Sequence, residues 1–154
     1  TQADLARRTA RILIELPSTE RDVTEAVRRL GAFADRLCID PAVKFSLQIA
    51  FHEALSNAVE HGNKADPSKC VFAECTASDR MVRLRVTDEG EGFNPQLVAD
   101  ASADPFREHG RGLFLIKSLM DEVTYNERGN TISMAKVALP APPQQDGQDQ
   151  TQTI

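Results

Sequence analysis

The sequence predicts an α+β fold, a two-layer sandwich in which helices cover one face of an antiparallel or mixed sheet. Segments with alternating apolar and polar residues come in adjacent pairs, and segments with helical periodicity lie between them. The length of 154 residues suffices for one domain, and 41% hydrophobic with 27% charged residues is typical of a globular protein. We therefore expect one domain with a single core.

The first strand is predicted over Ala10–Leu16 because apolar and polar residues alternate there, and Pro17 ends it. Ser18 or Thr19 can then cap a helix, since Thr19 and Asp22 have the spacing of a capping box. The apolar stripe of this helix comprises Val23, Ala26, Val27, Leu30, Phe33, Ala34 and Leu37.

A second helix is predicted from Pro41, which suits a first turn, to about His61. We expect Gly62 to end it in the left-handed conformation that glycine adopts easily, and His61 to cap carbonyl groups or pack. The buried stripe of the helix comprises Leu47, Phe51, Ala54, Leu55, Ala58 and Val59.

Two hairpins are predicted in the remainder of the chain. The first joins strands near Cys70–Thr76 and Met81–Thr87 by a short connection. The second joins Val123–Glu127 and Thr131–Leu139 around a turn at Gly129 and Asn130. Adjacent paired strands of this kind favour an antiparallel sheet over a doubly wound nucleotide fold.

Between the hairpins, residues 94–109 have no clear period, and a loop of this length in a small domain is typical of a lid over a site. A third helix is predicted at Gly112–Asp121. Pro, Gln and Asp dominate residues 140–154, which predicts a disordered tail after a domain at residues 1–139.

Charge and cysteine content exclude several functional classes. The net charge of -5 disfavours direct binding to nucleic acid. No apolar run approaches the length of a membrane span, and residues 1–8 are polar, so we expect no membrane association. Cys38, Cys70 and Cys75 are odd in number and form no Cys-x-x-Cys pair, which favours reduced thiols in a cytoplasmic protein.

Two motifs carry side chains suited to ligand chemistry. Glu53 and Asn57 lie four residues apart, so both project from the same side of the second helix, although an isolated pair of this kind is typical of a solvated face. Asp88, Gly90 and Gly92 follow a strand, where the carboxylate can face a ligand that the glycines allow to approach. Neither a dinucleotide fingerprint nor a Gly-Lys-Ser/Thr phosphate loop is present in the sequence.

A third motif comprises Gly110, Arg111, Gly112 and Leu113 at the start of the third helix. Exposed N–H groups at a helix start, together with a guanidinium, suit an anion such as phosphate. A helix-capping turn with a solvated arginine is the alternative interpretation.

Taken together and in this order, the motifs resemble those of the GHKL ATPase superfamily, and within it the bacterial anti-sigma-factor serine kinases of the RsbW type. The N box of that superfamily looks like residues 53–62, its first glycine box like residues 88–93 and its second like residues 110–113. The resemblance extends over about residues 10–139 and implies the GHKL (Bergerat) ATP-binding fold.

The resemblance also implies residue roles. Asn57 would bind the Mg²⁺ that bridges the phosphates of ATP. Asp88 would accept a hydrogen bond from the adenine amino group, which predicts a preference for ATP over GTP. Gly90 and Gly92 would leave room for the base. The residues that would hold the phosphates under the lid are Gly110, Arg111, Gly112 and Leu113.

Two further roles follow from the resemblance. Thr131 would correspond to a threonine near the adenine. Glu53 would be the catalytic general base that takes the proton from an attacking hydroxyl group.

The function implied is that of an ATP-dependent protein serine/threonine kinase and anti-sigma factor. It would sequester a sigma factor and phosphorylate a STAS-domain anti-anti-sigma protein, and it could form a homodimer. One alternative is a nucleotide-gated binding module without phosphotransfer. Another is a switch kinase or a histidine-kinase-like ATPase domain that does not act on a sigma factor.

Overall fold

The computed structural model describes residues 9–94 and 108–138. Within them, three α-helices pack on one face of a five-stranded sheet whose neighbouring strands are all antiparallel. The elements in chain order are β1 (Ala10–Pro17), α1 (Glu20–Arg36), α2 (Pro41–Asn57), β2 (Cys70–Ser78), β3 (Met81–Asp88), α3 (Glu108–Leu119), β4 (Glu122–Tyr125) and β5 (Thr131–Val137). The sheet order β1-β2-β3-β5-β4 makes β3 the middle strand. The predicted α+β sandwich is confirmed.

Two predictions concern segments outside this description. The proposed lid at 94–109 lies, apart from its ends, outside the described residues, and so does the proposed tail at 140–154. Both stay predictions, as does the division into a domain at 1–139 and a tail.

Helix α1 begins as predicted because Thr19 caps it. The Thr19 hydroxyl oxygen accepts a hydrogen bond from the backbone N–H of Asp22 at 3.2 Å, and the Asp22 carboxylate accepts one from the same hydroxyl. The stripe predicted for this helix faces the core, with Val23 and Leu30 fully buried and Val27 partly buried.

Helix α2 packs against both α1 and α3. Its start has Pro41 in the first turn, and the Asp40 carboxylate accepts a hydrogen bond from the N–H of Ala42 at 2.9 Å. All six residues of the predicted stripe are buried, namely Leu47, Phe51, Ala54, Leu55, Ala58 and Val59. Because this stripe faces the core, the orientation of α2 is fixed, and with it the direction in which Glu53 and Asn57 project.

The end of α2 differs from the prediction. The helix continues after Asn57 as one π-helical turn, Ala58–Gly62, and Gly62 is not left-handed; Lys64 and Ala65 take that conformation, with φ of 52° and 53°. Gly62 is required for a different reason, because a Cβ there would lie 2.3 Å from the carboxylate carbon of Asp88. The close approach of another strand, rather than a cap, explains this glycine. Single π turns are frequent at functional sites.

The first hairpin agrees with the prediction. Strands β2 and β3 pair from Val71 opposite Asp88 to Ser78 opposite Met81. Asp79 and Arg80 connect them with φ of 49° and 65°, as in a type I′ turn. The inward side chains of β3, which are buried against the helices, are Val82, Leu84 and Val86.

Helix α3 begins at Glu108, four residues before the predicted Gly112, and ends at Leu119 rather than Asp121. Gly110 and Arg111 therefore lie within the helix instead of preceding it. The start is hidden in the sequence because glycine costs a helix about 1 kcal/mol, so a segment with two glycines does not indicate helix.

The closing hairpin is shorter than predicted, since β4 ends at Tyr125. Gly129 has a positive φ of 75°, and its N–H donates to the carbonyl of Asn126 at 3.1 Å. The side-chain oxygen of Asn126 accepts hydrogen bonds from the N–H groups of Asn130 and Thr131, both at 3.1 Å. These bonds fix the turn that precedes β5.

The three cysteines lie in the described residues and form no disulfide; Cys75 is buried, and burial raises the pKa of its thiol to about 12. Among the helices of the described segments, none combines the length and the apolar character needed to cross a membrane.

Candidate functional site

A cavity of about 420 Å³ lies between the C-terminal half of α2, the π turn, the end of β3 and the second hairpin. This volume suits a small-molecule ligand. The lining residues are Ala54, Asn57, Ala58, His61, Gly62, Lys64, Val86, Asp88, Glu91, Gly92, Phe93, Leu113, Tyr125, Gly129, Asn130 and Ile132. Four residues of the predicted site line the cavity: Asn57, Asp88, Gly92 and Leu113.

Asp88 ends the middle strand, where its carboxylate is partly buried against Gly62. One carboxylate oxygen accepts the backbone N–H of Gly90 at 2.8 Å. Burial raises the pKa of the Asp88 carboxyl above its ordinary value, while the Gly90 N–H and the charges of Arg128 and Lys69 act in the opposite direction. The site thus holds a partly desolvated acceptor whose remaining hydrogen-bonding capacity is available to a donor on a ligand.

The raised pKa of Asp88 predicts a stability change in Asp88→Asn. In the pH range above 3.8, the Asp88 carboxyl of the native protein binds more protons on average than the same group in the unfolded chain, so its ionisation costs stability as the pH rises. The variant keeps an oxygen for the Gly90 N–H but carries no charge. We expect Asp88→Asn to be more stable than the wild type at pH 7, with the difference shrinking as the pH falls to about 4.

Urea unfolding without nucleotide at both pH values measures this difference. Asp66 provides the control, because hydrogen bonds from Ser68 lower the pKa of its carboxyl. Asp66→Asn should therefore shift stability at pH 7 in the opposite direction. An Asp88→Asn variant that is less stable than the wild type at pH 7 would contradict the prediction.

Gly90 allows a close backbone contact between the segment after β3 and the π turn. A Cβ on Gly90 would lie 2.0 Å from the carbonyl oxygen of Gly62 and 2.9 Å from an Asp88 carboxylate oxygen. Gly90 itself does not line the cavity. Its role in the structure is to let the segment after β3 lie directly on the π turn.

We expect Gly90→Ala to lower the free energy of unfolding by about 1–3 kcal/mol, because the clash is with backbone and no side chain can move to relieve it. Chemical denaturation measures the change. Gly31→Ala is the matched control, since the added methyl would meet only the ends of two flexible side chains, 2.6 Å from Gln48 Nε2 and 3.4 Å from Lys44 Cε. A loss of stability in Gly31→Ala as large as that in Gly90→Ala would argue against the backbone clash.

Gly92 and Phe93 form a wall of the cavity by docking on the second hairpin. Gly92 has φ of 81°, and a Cβ there would lie 1.9 Å from the carbonyl oxygen of Arg128. The N–H of Phe93 donates to that same oxygen at 3.1 Å. The Phe93 ring meets the ring of Tyr125 edge to face, with centroids 5.0 Å apart. Both aromatic rings line the cavity.

Glu53 and Asn57 lie together on α2, beside the cavity. Both face Gly112 of α3, since a Cβ at Gly112 would be 3.1 Å from a Glu53 carboxylate oxygen and 3.1 Å from the Asn57 amide nitrogen. The structure thus brings residues of the first and third motifs into contact. Gly110 and Arg111 directly precede Gly112 in α3.

Thr131, another predicted site residue, does not line the cavity. Its hydroxyl is 2.9 Å from that of Thr87, and it faces the side of the sheet opposite the helices. Asn130 lines the cavity instead, and its amide donates to the carbonyl of Asp88 at 3.2 Å. The alternation of β5 could have indicated this, because buried Ile132 implies that Thr131 points outward.

Other lining residues were not identified from sequence as part of the site. Lys64 brings a cation to the cavity, and Tyr125 and Asn130 come from the hairpin. His61, which we expected to cap or pack, also lines the cavity, with its imidazole 4.0 Å from the Glu60 carboxylate. Whether these residues reach the cavity depends on how the segments after α2 fold back towards it. A local sequence pattern does not predict that path.

Two further depressions, of about 280 and 380 Å³, lie on the open face of the sheet. Apart from Thr131, which lines the larger one, no predicted site residue contributes to them. The described residues contain no group of three or more His, Cys, Asp or Glu side chains suited to a metal ion.

The fold and the site define a ligand-binding α+β domain whose cavity has an acid at the end of the middle strand and a Glu–Asn pair nearby. Residues 16–136 match the family model described as the histidine kinase-like ATPase domain, and the chain belongs to this family. The resemblance inferred from the three motifs is confirmed at this level.

Curated relatives include two similar staphylococcal proteins. The chain is 39% identical over 99 residues to the serine-protein kinase RsbW of Staphylococcus epidermidis. It is 37% identical over 99 residues to the serine-protein kinase RsbW of Staphylococcus aureus. Each match covers 58% of this chain and 62% of the relative, so the chain spans less than two thirds of the length of these relatives.

A solved structure shows the same fold. The crystal structure of the RsbU and RsbW domains of Rv1364c from Mycobacterium tuberculosis matches with a TM-score of 0.59 and 22% identity. The match covers 86% of this chain and 33% of that chain. At this identity the comparison supports the architecture alone.

Proposed function

We propose that this chain binds ATP with Mg²⁺ and is a protein serine/threonine kinase that acts as an anti-sigma factor in the cytoplasm. It would sequester a sigma factor and phosphorylate a STAS-domain anti-anti-sigma protein. The observation that carries the proposal is that Glu53 and Asn57 face Gly112, each with an atom 3.1 Å from where a Cβ would lie, next to the cavity that Asp88 lines. Membership of an ATPase family supports ATP, and the names of the RsbW relatives support a serine kinase.

Asp88 supports adenine as the base. Its carboxylate is an acceptor and already has the Gly90 N–H as one partner, so the exocyclic amino group of adenine can supply a second. Guanine has a carbonyl at that position, which would oppose the carboxylate. The apolar side chains of Val86 and Ile132, together with Tyr125, give the base a surface to pack on.

The other side of the site suits phosphates and Mg²⁺. Asn57 and Glu53 supply amide and carboxylate oxygens, which are the ligand types that Mg²⁺ prefers, and we assign the ion to Asn57. When bound, Mg²⁺ would neutralise charge on the phosphates. Gly110 lies in the first turn of α3, where backbone N–H groups without an intrahelical partner favour an anion. Arg111, Gly112 and Leu113 follow it, and we assign these four residues to the phosphates.

Glu53 is the residue that we propose as the general base. It would take the proton from a serine or threonine hydroxyl while the oxygen forms a bond to the γ-phosphorus and the bond to ADP breaks. The position of Glu53 matters most in this role, since catalysis of phosphoryl transfer depends mainly on positioning and charge stabilisation.

The test is a pull-down from the source lysate with the tagged chain in MgATP and in MgADP, followed by mapping of phosphorylated serines and threonines by mass spectrometry. We expect a sigma factor retained with MgATP and a phosphorylated STAS-domain protein. A STAS-domain partner without a sigma factor would replace the proposal by a switch kinase. Nucleotide-dependent binding without any phosphosite would replace it by a gated binding module.

A further inference from the structure

Asn63 is a buried polar residue that the proposed function does not use. It directly follows the π turn and is 0% exposed. Its side-chain nitrogen donates to the hydroxyl of Ser18 at 3.0 Å and to the carbonyl of Cys70 at 2.9 Å. Its side-chain oxygen accepts the backbone N–H of Glu89 at 2.8 Å. One amide therefore joins the segments that precede α1, begin β2 and follow β3.

The bond to Glu89 connects this network to the site. Glu89 lies between Asp88, which lines the cavity, and Gly90, which contacts the π turn. The Glu89 carboxylate also accepts the N–H of Cys70 at 2.9 Å. Residue 89 is thus held through its backbone by Asn63 and through its side chain by β2, while Asn63 itself does not line the cavity.

We propose that Asn63 is a positioning residue for base recognition, because it holds the N–H of Glu89 and thereby fixes the direction of the Asp88 carboxylate. The inference rests on the proposed function, in which Asp88 binds the adenine amino group. Without the amide oxygen, the Glu89 N–H would be left without its buried partner, and segment 88–90 would rearrange to satisfy it.

The chemistry of the position explains why an asparagine is present. The amide supplies donors to Ser18 and Cys70 and an acceptor to Glu89 from one short side chain. An ionised aspartate would offer no donor to the Cys70 carbonyl, and an aliphatic side chain would offer nothing to any of the three.

The test measures base discrimination, which a general loss of stability does not change. Isothermal titration calorimetry of the full chain with MgATP and MgITP gives the ratio of the two Kd values, since inosine has a carbonyl in place of the amino group. We expect the wild type to favour ATP by about tenfold or more, as for one charge-assisted hydrogen bond. Asn63→Ala should reduce that ratio by about fivefold or more.

Ser18→Ala is the matched control. It removes the hydroxyl that accepts from Asn63 and donates to the Lys69 carbonyl at 2.7 Å, but it leaves the Asn63–Glu89 bond in place. We expect it to lower the Tm and to keep the wild-type ratio. Glu89→Ala is a second variant, outside the core, which removes the bond to the Cys70 N–H and should also lower the ratio.

The outcomes separate this inference from the proposed function. A wild type that does not discriminate ATP from ITP overturns base recognition by Asp88, and the inference with it. If the wild type discriminates ATP from ITP but the ratio of the two Kd values is unchanged in folded Asn63→Ala and in Glu89→Ala, only the role of Asn63 is overturned. A ratio that falls equally in Ser18→Ala also overturns it, since general loosening would then explain the effect.

Discussion

An Asp88→Ala variant is expected to bind ATP about 10- to 100-fold more weakly than the wild type, because a hydrogen bond to a charged partner contributes about 1.5–3 kcal/mol. The loss should be confined to adenine nucleotides, so the preference for ATP over GTP should disappear as well. Calorimetric titration of the wild type and of Asp88→Ala with MgATP and with MgGTP measures both the loss of affinity and the loss of preference.

Asp66→Ala is the matched control for this prediction. The Asp66 carboxylate accepts the N–H of Ser68, two residues ahead, just as the Asp88 carboxylate accepts that of Gly90, but Asp66 does not line the cavity. We expect it to bind ATP like the wild type. Comparable affinity of the wild type for ATP and GTP, or unchanged binding in Asp88→Ala, would exclude Asp88 as the residue that recognises the base.

A Glu53→Ala variant is expected to keep its affinity for ATP within about threefold and to lose phosphotransfer by about 10²- to 10⁴-fold, the usual contribution of a general base. The separation arises because Glu53 lies beside the cavity without lining it. Transfer of γ-phosphate to the STAS-domain partner at saturating MgATP measures the rate.

Glu60→Ala is the control for Glu53. Glu60 lies in the π turn, and its carboxylate is more than half exposed. This variant should transfer phosphate at the wild-type rate. If Glu53→Ala is equally fast, Glu53 is not the base, and the gated binding module becomes the better description of the chain.

Most secondary-structure elements could be predicted from local sequence patterns. The predictions were correct where a single physical effect determines the structure. The start of α1 was predicted from the capping spacing of Thr19 and Asp22, and the stripe of α2 was predicted because its apolar residues face a single core. The three motifs were also found in the sequence, since each lies at the end of a regular element.

The details that could not be predicted depend on contacts between distant segments. Gly62 looks like a helix cap in the sequence, whereas the structure shows that it accommodates the Asp88 side chain. Asn63 looks like an ordinary loop residue, and only the packing of three other segments around it shows its role. The choice between Asn130 and Thr131 depends on one residue of register, which reverses the face of a strand.

The position of Asp88 on β3 separates the recognition carboxylate from the weakest parts of the sheet. Strands β1 and β4 are the outer strands, and local opening of a protein starts at such edges at low cost in free energy. The Asp88 N–H is hydrogen bonded to the Asn130 carbonyl, so it is released only when the centre of the sheet separates. Fraying at either edge therefore leaves the recognition carboxylate in place. Sequence changes in β1, which contributes no residue to the cavity lining, can accumulate without altering which base the protein accepts.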